Sequence, residues 1–136
     1  MIFIDTGPFV ARFVRHDNQH ERAARYWAEV KRQNLACFTS NFVLDEAFTL
    51  LGRRASYGFA AERARSLFAS RGLTILRPDS RDETEAVEIF AKFADQKVSF
   101  TDCVSFVLMR RSRLQRAFTF DRHFVDAGFE VWPSRG

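Results

Sequence analysis

The chain has 136 residues, 46% of them hydrophobic, which favours a single soluble globular domain spanning residues 1–136. A mean hydropathy of -0.25, and no apolar run near the roughly 20 residues of a membrane span, argue against a membrane protein. The net charge of +4 comes mainly from arginine, which weakly favours a polyanionic partner, although the charge taken by itself is better explained by a solvated basic surface.

Short apolar runs alternate with helical patterns along the whole chain. Strands are predicted at residues 2–4, 35–39, 73–76, 117–120 and 129–132. Helices are predicted at residues 8–14, at 40–51, from about 60 to 72, after 79 or 80, at 101–111 and at 121–127. A further helix begins at Asp17 or Asn18, and residues 52–58 have a turn-like, basic composition. This order predicts an α/β sandwich with a mainly parallel central sheet.

Four acidic residues lie at or near the junctions of these elements. Asp5 follows the first strand, Asp121 follows the strand at 117–120, Asp102 lies at a helix start, and Glu46 lies inside a helix. Because sites of parallel sheets form at the carboxyl ends of the strands, the four side chains could converge there. The N-terminus lacks a secretory signal, and Cys37 and Cys103 are expected to be reduced, so we expect a cytoplasmic protein.

Each acid also has a structural explanation. An aspartate at a strand–helix junction is a good N-cap, which taken singly is the commoner role for each of the three aspartates. Glu46 could lie on a solvated helix face or pair with Arg53. Asp45 lies about 100° further round the helix, so only one of the two can point into a shared site. We choose Glu46, because it lies in line with Phe42 and Thr49.

A cluster of these carboxylates would need a cation. Several carboxylates close together repel one another unless they are protonated or neutralised. An all-oxygen set suits a hard ion, Mg²⁺ or Mn²⁺, and such ions support phosphodiester cleavage. A basic protein around an acidic pocket would attract a phosphate backbone to it.

The sequence resembles PIN-domain ribonucleases, specifically VapC-type toxins of toxin–antitoxin pairs. The resemblance covers nearly the whole chain and rests on the segments MIFIDTGPFVA, NFVLDEAFTLL, VSFTDCVSFVLM and AFTFDRHFVDAGFEV, in this order. Gly7 departs from the family pattern, which often has Ser or Asn there, but Asp5 and Thr6 are intact. The resemblance implies a three-layer α/β/α sandwich and metal-dependent endoribonuclease activity.

The resemblance also implies roles for individual residues and partners. Asp5 and Asp102 would be the principal ligands of Mg²⁺, or of Mn²⁺, and Glu46 and Asp121 would complete the catalytic cluster through water or a second ion. Two hydroxyl residues beside the acids, Thr6 and Thr101, would orient ligands or cap helices. The expected partners are structured RNA, often tRNA, a second copy of the chain in a homodimer, and a cognate antitoxin protein.

Other signals are weaker. His16 and His20 have the spacing of a zinc pair but no further ligands. His123 follows Asp121 and lies either near the pocket rim or, by default, at the surface. A basic run contacts phosphate or is simply solvated; it comprises Arg110, Arg111, Arg113 and Arg116. The DTG triplet also occurs in aspartic proteases, but these are mostly β proteins. The competing functions are a non-catalytic PIN-fold RNA-binding or assembly module, and a phosphatase or DNA nuclease with similar metal chemistry.

Overall fold

The computed structural model describes residues 1–134 and has a five-stranded parallel sheet at its centre. The strands are β1 (Ile2–Ile4), β2 (Cys37–Ser40), β3 (Leu73–Leu76), β4 (Arg116–Phe118) and β5 (Glu130–Trp132). Their order across the sheet is β3-β2-β1-β4-β5. The predicted α/β class and the parallel sheet are confirmed.

Within the described residues, seven α-helices flank the sheet. They are α1 (Thr6–Phe13), α2 (His20–Arg32), α3 (Asn41–Arg54), α4 (Tyr57–Ala69), α5 (Ser80–Lys92), α6 (Phe100–Arg111) and α7 (His123–Asp126). The chain moves outward from β1 to β2 and β3, and then crosses back to β4 and β5. Because crossovers between parallel strands are right-handed, this reversal places helices on both faces of the sheet. The reversal also opens a crevice between the carboxyl ends of β1 and β4.

The core explains how acidic side chains reach the interior. All three residues of β1 are fully buried, as expected for the central strand of a covered parallel sheet. Helix α6 is buried along nearly all of its length, from its third residue to Met109. An acid at the start of such a helix is therefore carried into the protein interior, where Phe3, Phe106 and Phe118 also pack.

The predicted turn at 52–58 is confirmed only at residues 55 and 56 and is wrong on both sides of them. Helix α3 continues to Arg54, and α4 begins at Tyr57. Gly52 is buried within α3, and a Cβ at this position would overlap the ring of Tyr57. The glycine therefore permits the close approach of Tyr57 to α3 and does not end the helix.

Helix caps were predicted with mixed success. Ser40 and Asp79 cap α3 and α5 as expected, each accepting a hydrogen bond from a backbone N–H in the first turn. Helix α2 instead begins at His20, because Asp17 accepts a hydrogen bond from the Gln19 N–H at 2.8 Å and does not cap the helix. Both cysteines are free thiols, as predicted. No helix within residues 1–134 is long and apolar enough to cross a membrane.

Candidate active site

A cavity of about 790 Å³ lies at the carboxyl end of the sheet, where β1 and β4 feed α1 and α7. All four acids singled out from the sequence line this cavity: Asp5, Glu46, Asp102 and Asp121. They come from four separate parts of the chain and meet only in the folded protein. We call this space the acidic cavity.

Asp5 occupies the N-cap position of α1, but its side chain does not cap the helix. Its Oδ2 instead accepts a hydrogen bond of 2.7 Å from the hydroxyl of Thr119, across the gap between β1 and β4. The Oγ1 of Thr119 in turn accepts the backbone N–H of Asp121 at 2.9 Å. Thr119 therefore positions two of the four acids. The sequence AFTFD does not reveal this role, because it depends on β4 lying beside β1.

Asp102 is the third residue of α6, and Ser99 is the N-cap of that helix. The Ser99 Oγ accepts the backbone N–H of Asp102 at 3.0 Å, and Asp102 itself lines the acidic cavity. Capping by Asp102 or by Thr101 is therefore wrong. Thr101 is half-buried and is not among the described residues that line the cavity. Ser99 is the hydroxyl residue of this segment that lines it.

Helix α3 presents Glu46 to the acidic cavity, where the side chain is half-buried. Asp45 is exposed on a different side of the helix, in agreement with the choice between the two acids. Arg53 is also exposed, and no ion pair joins it to Glu46 in the part of the chain that the structure describes.

Asp121 and His123 form the wall of the cavity that leads into α7. The Oδ1 of Asp121 accepts the backbone N–H of His123 at 2.9 Å, and the His123 Nδ1 lies 2.9 Å from the same oxygen. Asp102, Asp121 and His123 each place one possible ligand atom within 4.8 Å of the others. His123 lines the cavity and stays partly exposed, so it occupies the rim position, the alternative to the surface position that the sequence favours.

Thr6 is buried beside Asp5 and lines the acidic cavity. It is not a helix cap, because Asp5 holds the N-cap position. Its Oγ1 has no hydrogen-bond partner within the described chain. A buried hydroxyl without a partner is costly, so this atom is available to water or to a bound group.

Burial and crowding raise the pKa values of two of the acids. Burial raises the pKa of Asp102 to about 8, with further contributions from Asp5 and Asp121. Burial likewise raises the pKa of Asp5 to about 6, although the Thr119 hydrogen bond opposes this change. Near neutral pH the cluster therefore retains a proton unless a cation compensates the charge. The carboxylates and one imidazole are suitable ligands for a divalent metal ion.

The basic residues of the acidic cavity differ in their contacts from those of the basic run. Lys97 and Arg122 line the acidic cavity. In the basic run, by contrast, Arg110 donates to the Ala127 carbonyl at 3.0 Å, Arg111 pairs with Asp82, and Arg116 lies 5.9 Å from the Trp132 ring centroid. Most of this run therefore makes contacts within the protein.

The two histidines of the possible zinc pair do not lie on one helix. His16 is exposed and precedes α2, whereas His20 begins α2. The Nδ1 of His20 lies 2.7 Å from the Ala11 carbonyl oxygen, which accounts for its orientation. These positions argue against a metal site shared by His16 and His20.

A parallel α/β fold with acids gathered at the β1–β4 crevice defines a metal-dependent nuclease of the PIN type. The chain belongs to the PIN domain family, which it matches over residues 2–130. It is 36% identical over 134 residues to the 23S rRNA-specific endonuclease VapC20 of Mycobacterium tuberculosis, in sequences from two strains. The matched region covers 98% of this chain and 99% of VapC20.

Solved structures agree with this assignment. The crystal structure of M. tuberculosis VapC20, described as a sarcin–ricin loop cleaving toxin, superposes with a TM-score of 0.85 and 33% identity. That match covers 95% of this chain and 96% of VapC20. FitAB bound to a DNA fragment has a TM-score of 0.65 at 19% identity, over 97% of this chain and 94% of its own, and supports the fold alone. The predicted VapC-type PIN nuclease is confirmed.

Proposed function

We propose that this protein is a Mg²⁺-dependent endoribonuclease toxin that cuts the sarcin–ricin loop of 23S rRNA. The observation that carries the proposal is the meeting of Asp5, Glu46, Asp102 and Asp121 around one cavity. The substrate is suggested by the similarity to VapC20 over nearly the full length of both chains. This loop replaces tRNA, the more general expectation, as the first RNA to test.

Asp5 and Asp102 are the proposed principal ligands of the metal ion. They are the most buried of the four acids, and both have raised pKa values that a nearby cation would lower. Glu46 and Asp121 would complete the site, and His123 offers a nitrogen ligand beside them. When bound, a divalent ion supplies positive charge that activates water and stabilises the leaving oxygen of a phosphodiester.

Other residues of the cavity hold and orient the reacting groups. Lys97 and Arg122 are placed to attract the phosphate backbone into a cavity that would otherwise repel it. Thr119 keeps Asp5 and Asp121 in a fixed relation through its two hydrogen bonds. The unpartnered hydroxyl of Thr6 is proposed to orient a water molecule beside Asp5.

The proposal also includes partners. A cognate antitoxin would block the acidic cavity, and a homodimer is expected from the resemblance to VapC-type toxins. Because ribosomal RNA is the proposed target, the toxin would act in the cytoplasm. Manganese is expected to replace magnesium, since the same ligand types accept both ions.

Cleavage assays on matched nucleic acids test the proposal. The purified chain, free of antitoxin, is incubated with a sarcin–ricin stem-loop, a tRNA and a DNA stem-loop of the same sequence, with Mg²⁺ or with EDTA. We expect a single cut in the stem-loop RNA that requires the metal. Asp5→Asn should abolish this cut while the far-ultraviolet circular dichroism spectrum stays unchanged.

Two neighbouring residues of α3 provide the matched control. Glu46→Gln alters a residue of the acidic cavity, whereas Asp45→Asn removes the same charge from an exposed position one residue away. Cleavage should fall in the first variant only. Equal cleavage by Asp5→Asn and the unaltered chain would contradict the proposal. RNA binding without any cut in Mg²⁺ or Mn²⁺ would favour the non-catalytic module.

A further inference from the structure

A second cavity of about 570 Å³ adjoins the acidic cavity. The two cavities share three consecutive lining residues, Phe120, Asp121 and Arg122. The volume of the second cavity lies within the roughly 300–1,000 Å³ of typical small-ligand sites. A group held in this second cavity would therefore sit directly beside whatever the acids bind.

The lining of the second cavity combines aromatic surfaces with polar groups. Phe120 and Phe129 contribute rings, and Gln19, Arg22 and Asp126 contribute an amide, a guanidinium and a carboxylate. Such a combination provides stacking surfaces together with both donors and acceptors of hydrogen bonds. A single unstacked nucleobase needs these same two kinds of contact.

Arg22 and Phe120 lie against one another in this lining, and Phe120 also belongs to the wall shared with the acidic cavity. The Arg22 guanidinium carbon lies 5.2 Å from the centroid of the Phe120 ring. Arg22 has no carboxylate partner in residues 1–134, so its charge is available to a ligand. Arginine planes and aromatic rings are the usual stacking surfaces for bases of single-stranded RNA.

The Phe120 ring is held in place from two sides. Its centroid lies 6.0 Å from that of Phe118 in an edge-to-face arrangement. On the other side, a Cβ built at Gly7 would lie 3.4 Å from the Phe120 Cδ2, so the ring packs closely on the backbone next to Asp5. The departure from the family pattern at Gly7 thus occurs where this ring meets the first turn of α1.

We propose that the second cavity is a subsite for one unstacked RNA base adjacent to the phosphate that is cut, with Arg22 and Phe120 as its specificity-determining residues. The inference rests on the proposed function, because the acidic cavity must hold the neighbouring phosphate. Because the two cavities share the wall of Phe120, Asp121 and Arg122, the base and the phosphate that they hold would be neighbours along one RNA chain. Binding the base there would fix the register of the cut.

The binding experiment uses a fluorescent stem-loop RNA and a series in which each loop nucleotide in turn lacks its base. Asp5→Asn serves as the cleavage-deficient chain. We expect the missing base to weaken binding about ten-fold at one position only. In the double variant Asp5→Asn, Arg22→Ala, binding to intact RNA should fall by a similar factor, and removal of that base should cause no further loss.

Cleavage kinetics of the single variant provide a second readout. Arg22→Ala should raise KM about ten-fold and leave kcat within about two-fold, because the interaction positions the substrate and does not take part in bond breaking. Arg65→Ala is the matched control, since Arg65 is exposed on α4 and lies outside both cavities. Phe120→Leu, which keeps an apolar side chain, should resemble Arg22→Ala if it folds normally.

The possible results separate this inference from the proposed function. Cleavage that is indifferent to every missing base would overturn the subsite and leave the ribonuclease intact. Base-dependent binding through Arg22 without any cleavage would support the subsite and overturn the ribonuclease. If Arg22→Ala weakens binding of the antitoxin and leaves the effect of the missing base unchanged, the second cavity is a protein-docking surface and the subsite is overturned.

Discussion

The first turns of α5 and α6 differ in chemistry although they are built alike. Asp82 and Asp102 are each the third residue of their helix. In both turns the N-cap side chain accepts the aspartate N–H, at 2.9 Å from Asp79 and at 3.0 Å from Ser99. The two aspartates are also buried to nearly the same degree, at 7% and 9% exposure.

The partners of the two carboxylates are what distinguish them. The Asp82 carboxylate accepts a hydrogen bond of 2.9 Å from the Asp79 N–H, which completes a capping box, and it also pairs with Arg111. Asp102 instead faces the acidic cavity with Asp5 and Asp121 near it, and its pKa is raised to about 8. Burial alone therefore does not mark a functional carboxylate. A functional carboxylate is instead recognised by burial without a nearby cation that compensates its charge.

Replacing each aspartate by asparagine should separate activity from stability. Asp102→Asn should lower RNA cleavage at least about a hundred-fold, because a proposed metal ligand is lost. Asp82→Asn should leave cleavage within about two-fold but lower the free energy of unfolding by about 2 kcal/mol, because the capping box and the ion pair are lost. Stem-loop cleavage and urea unfolding measure the two effects.

These two variants control for one another, since each removes one charge from the third residue of a helix. Asp102→Asn is expected to raise stability near pH 8 in the absence of metal, because an uncompensated charge is removed. If Asp82→Asn loses cleavage at a temperature where it is fully folded, the assignment of a structural role to Asp82 and a catalytic role to Asp102 is wrong.

The pH dependence of stability should reveal the uncompensated acids. The folded-state pKa values of Asp5 and Asp102 are raised from 3.8 to about 6 and about 8. The folded protein therefore holds protons that the unfolded chain has already released, and this contribution to stability is lost as pH rises from about 4 to about 8. For Asp5 a shift of this size corresponds to about 3 kcal/mol.

Thermal unfolding in EDTA measures this effect. The Tm of the metal-free protein should fall between pH 5 and pH 8, and Mg²⁺ should reverse the fall at pH 8. Asp102→Asn should flatten the curve above pH 6, whereas Asp82→Asn should lower it throughout and keep its slope. A Tm that rises from pH 5 to pH 8 in EDTA would show that the buried acids are already compensated.

Much of the fold follows from local sequence patterns. Apolar runs such as residues 2–4 and 73–76 predict the strands, and a carboxylate at the end of β1 predicts which edge of the sheet carries the site. The choice of Glu46 over Asp45 follows from helix geometry, because two adjacent residues cannot point into the same cavity. These features depend on the spacing of residues along the chain.

The remaining features depend on contacts between distant residues. The patterns D-x-x-D at 79–82 and S-x-x-D at 99–102 are equivalent as helix-start signals. Their roles differ because the fold places Arg111 against Asp82, whereas it places Asp5 and Asp121 near Asp102. Gly52 lies in a segment with turn-like composition, but the structure places it inside α3, where its lack of a side chain leaves room for the Tyr57 ring. The role of Thr119 depends on the pairing of β1 with β4, which no short segment encodes.

A smaller effect on cleavage is expected from replacing Thr119, the hydroxyl residue that links two acids of the acidic cavity and has no counterpart beside Asp82. Thr119→Val removes the 2.7 Å bond to Asp5 and the 2.9 Å bond from the Asp121 N–H. Because the first bond lowers the pKa of Asp5, its loss should raise that pKa further and slow cleavage about ten-fold at pH 7. Part of the activity should return at higher pH.

Thr119→Ser is the conservative control, because it keeps the hydroxyl and both hydrogen bonds. Its pH–rate profile should match that of the unaltered chain. If Thr119→Val and Thr119→Ser slow cleavage equally and without a change in the profile, the lost methyl packing accounts for the effect and the hydrogen bonds do not.

The smallest expected contrast concerns the imidazole beside Asp102, for which the Asp82 site has no counterpart. His123 shares an acidic wall with Asp102 and Asp121, and imidazole is a better ligand for Mn²⁺ than for Mg²⁺. His123→Ala should therefore weaken Mn²⁺ binding a few-fold, measured by calorimetric titration or electron paramagnetic resonance, and change Mg²⁺ binding less. An equal loss for both ions would mean that His123 only orients Asp121 through their 2.9 Å contact, so that the carboxylates alone bind the metal.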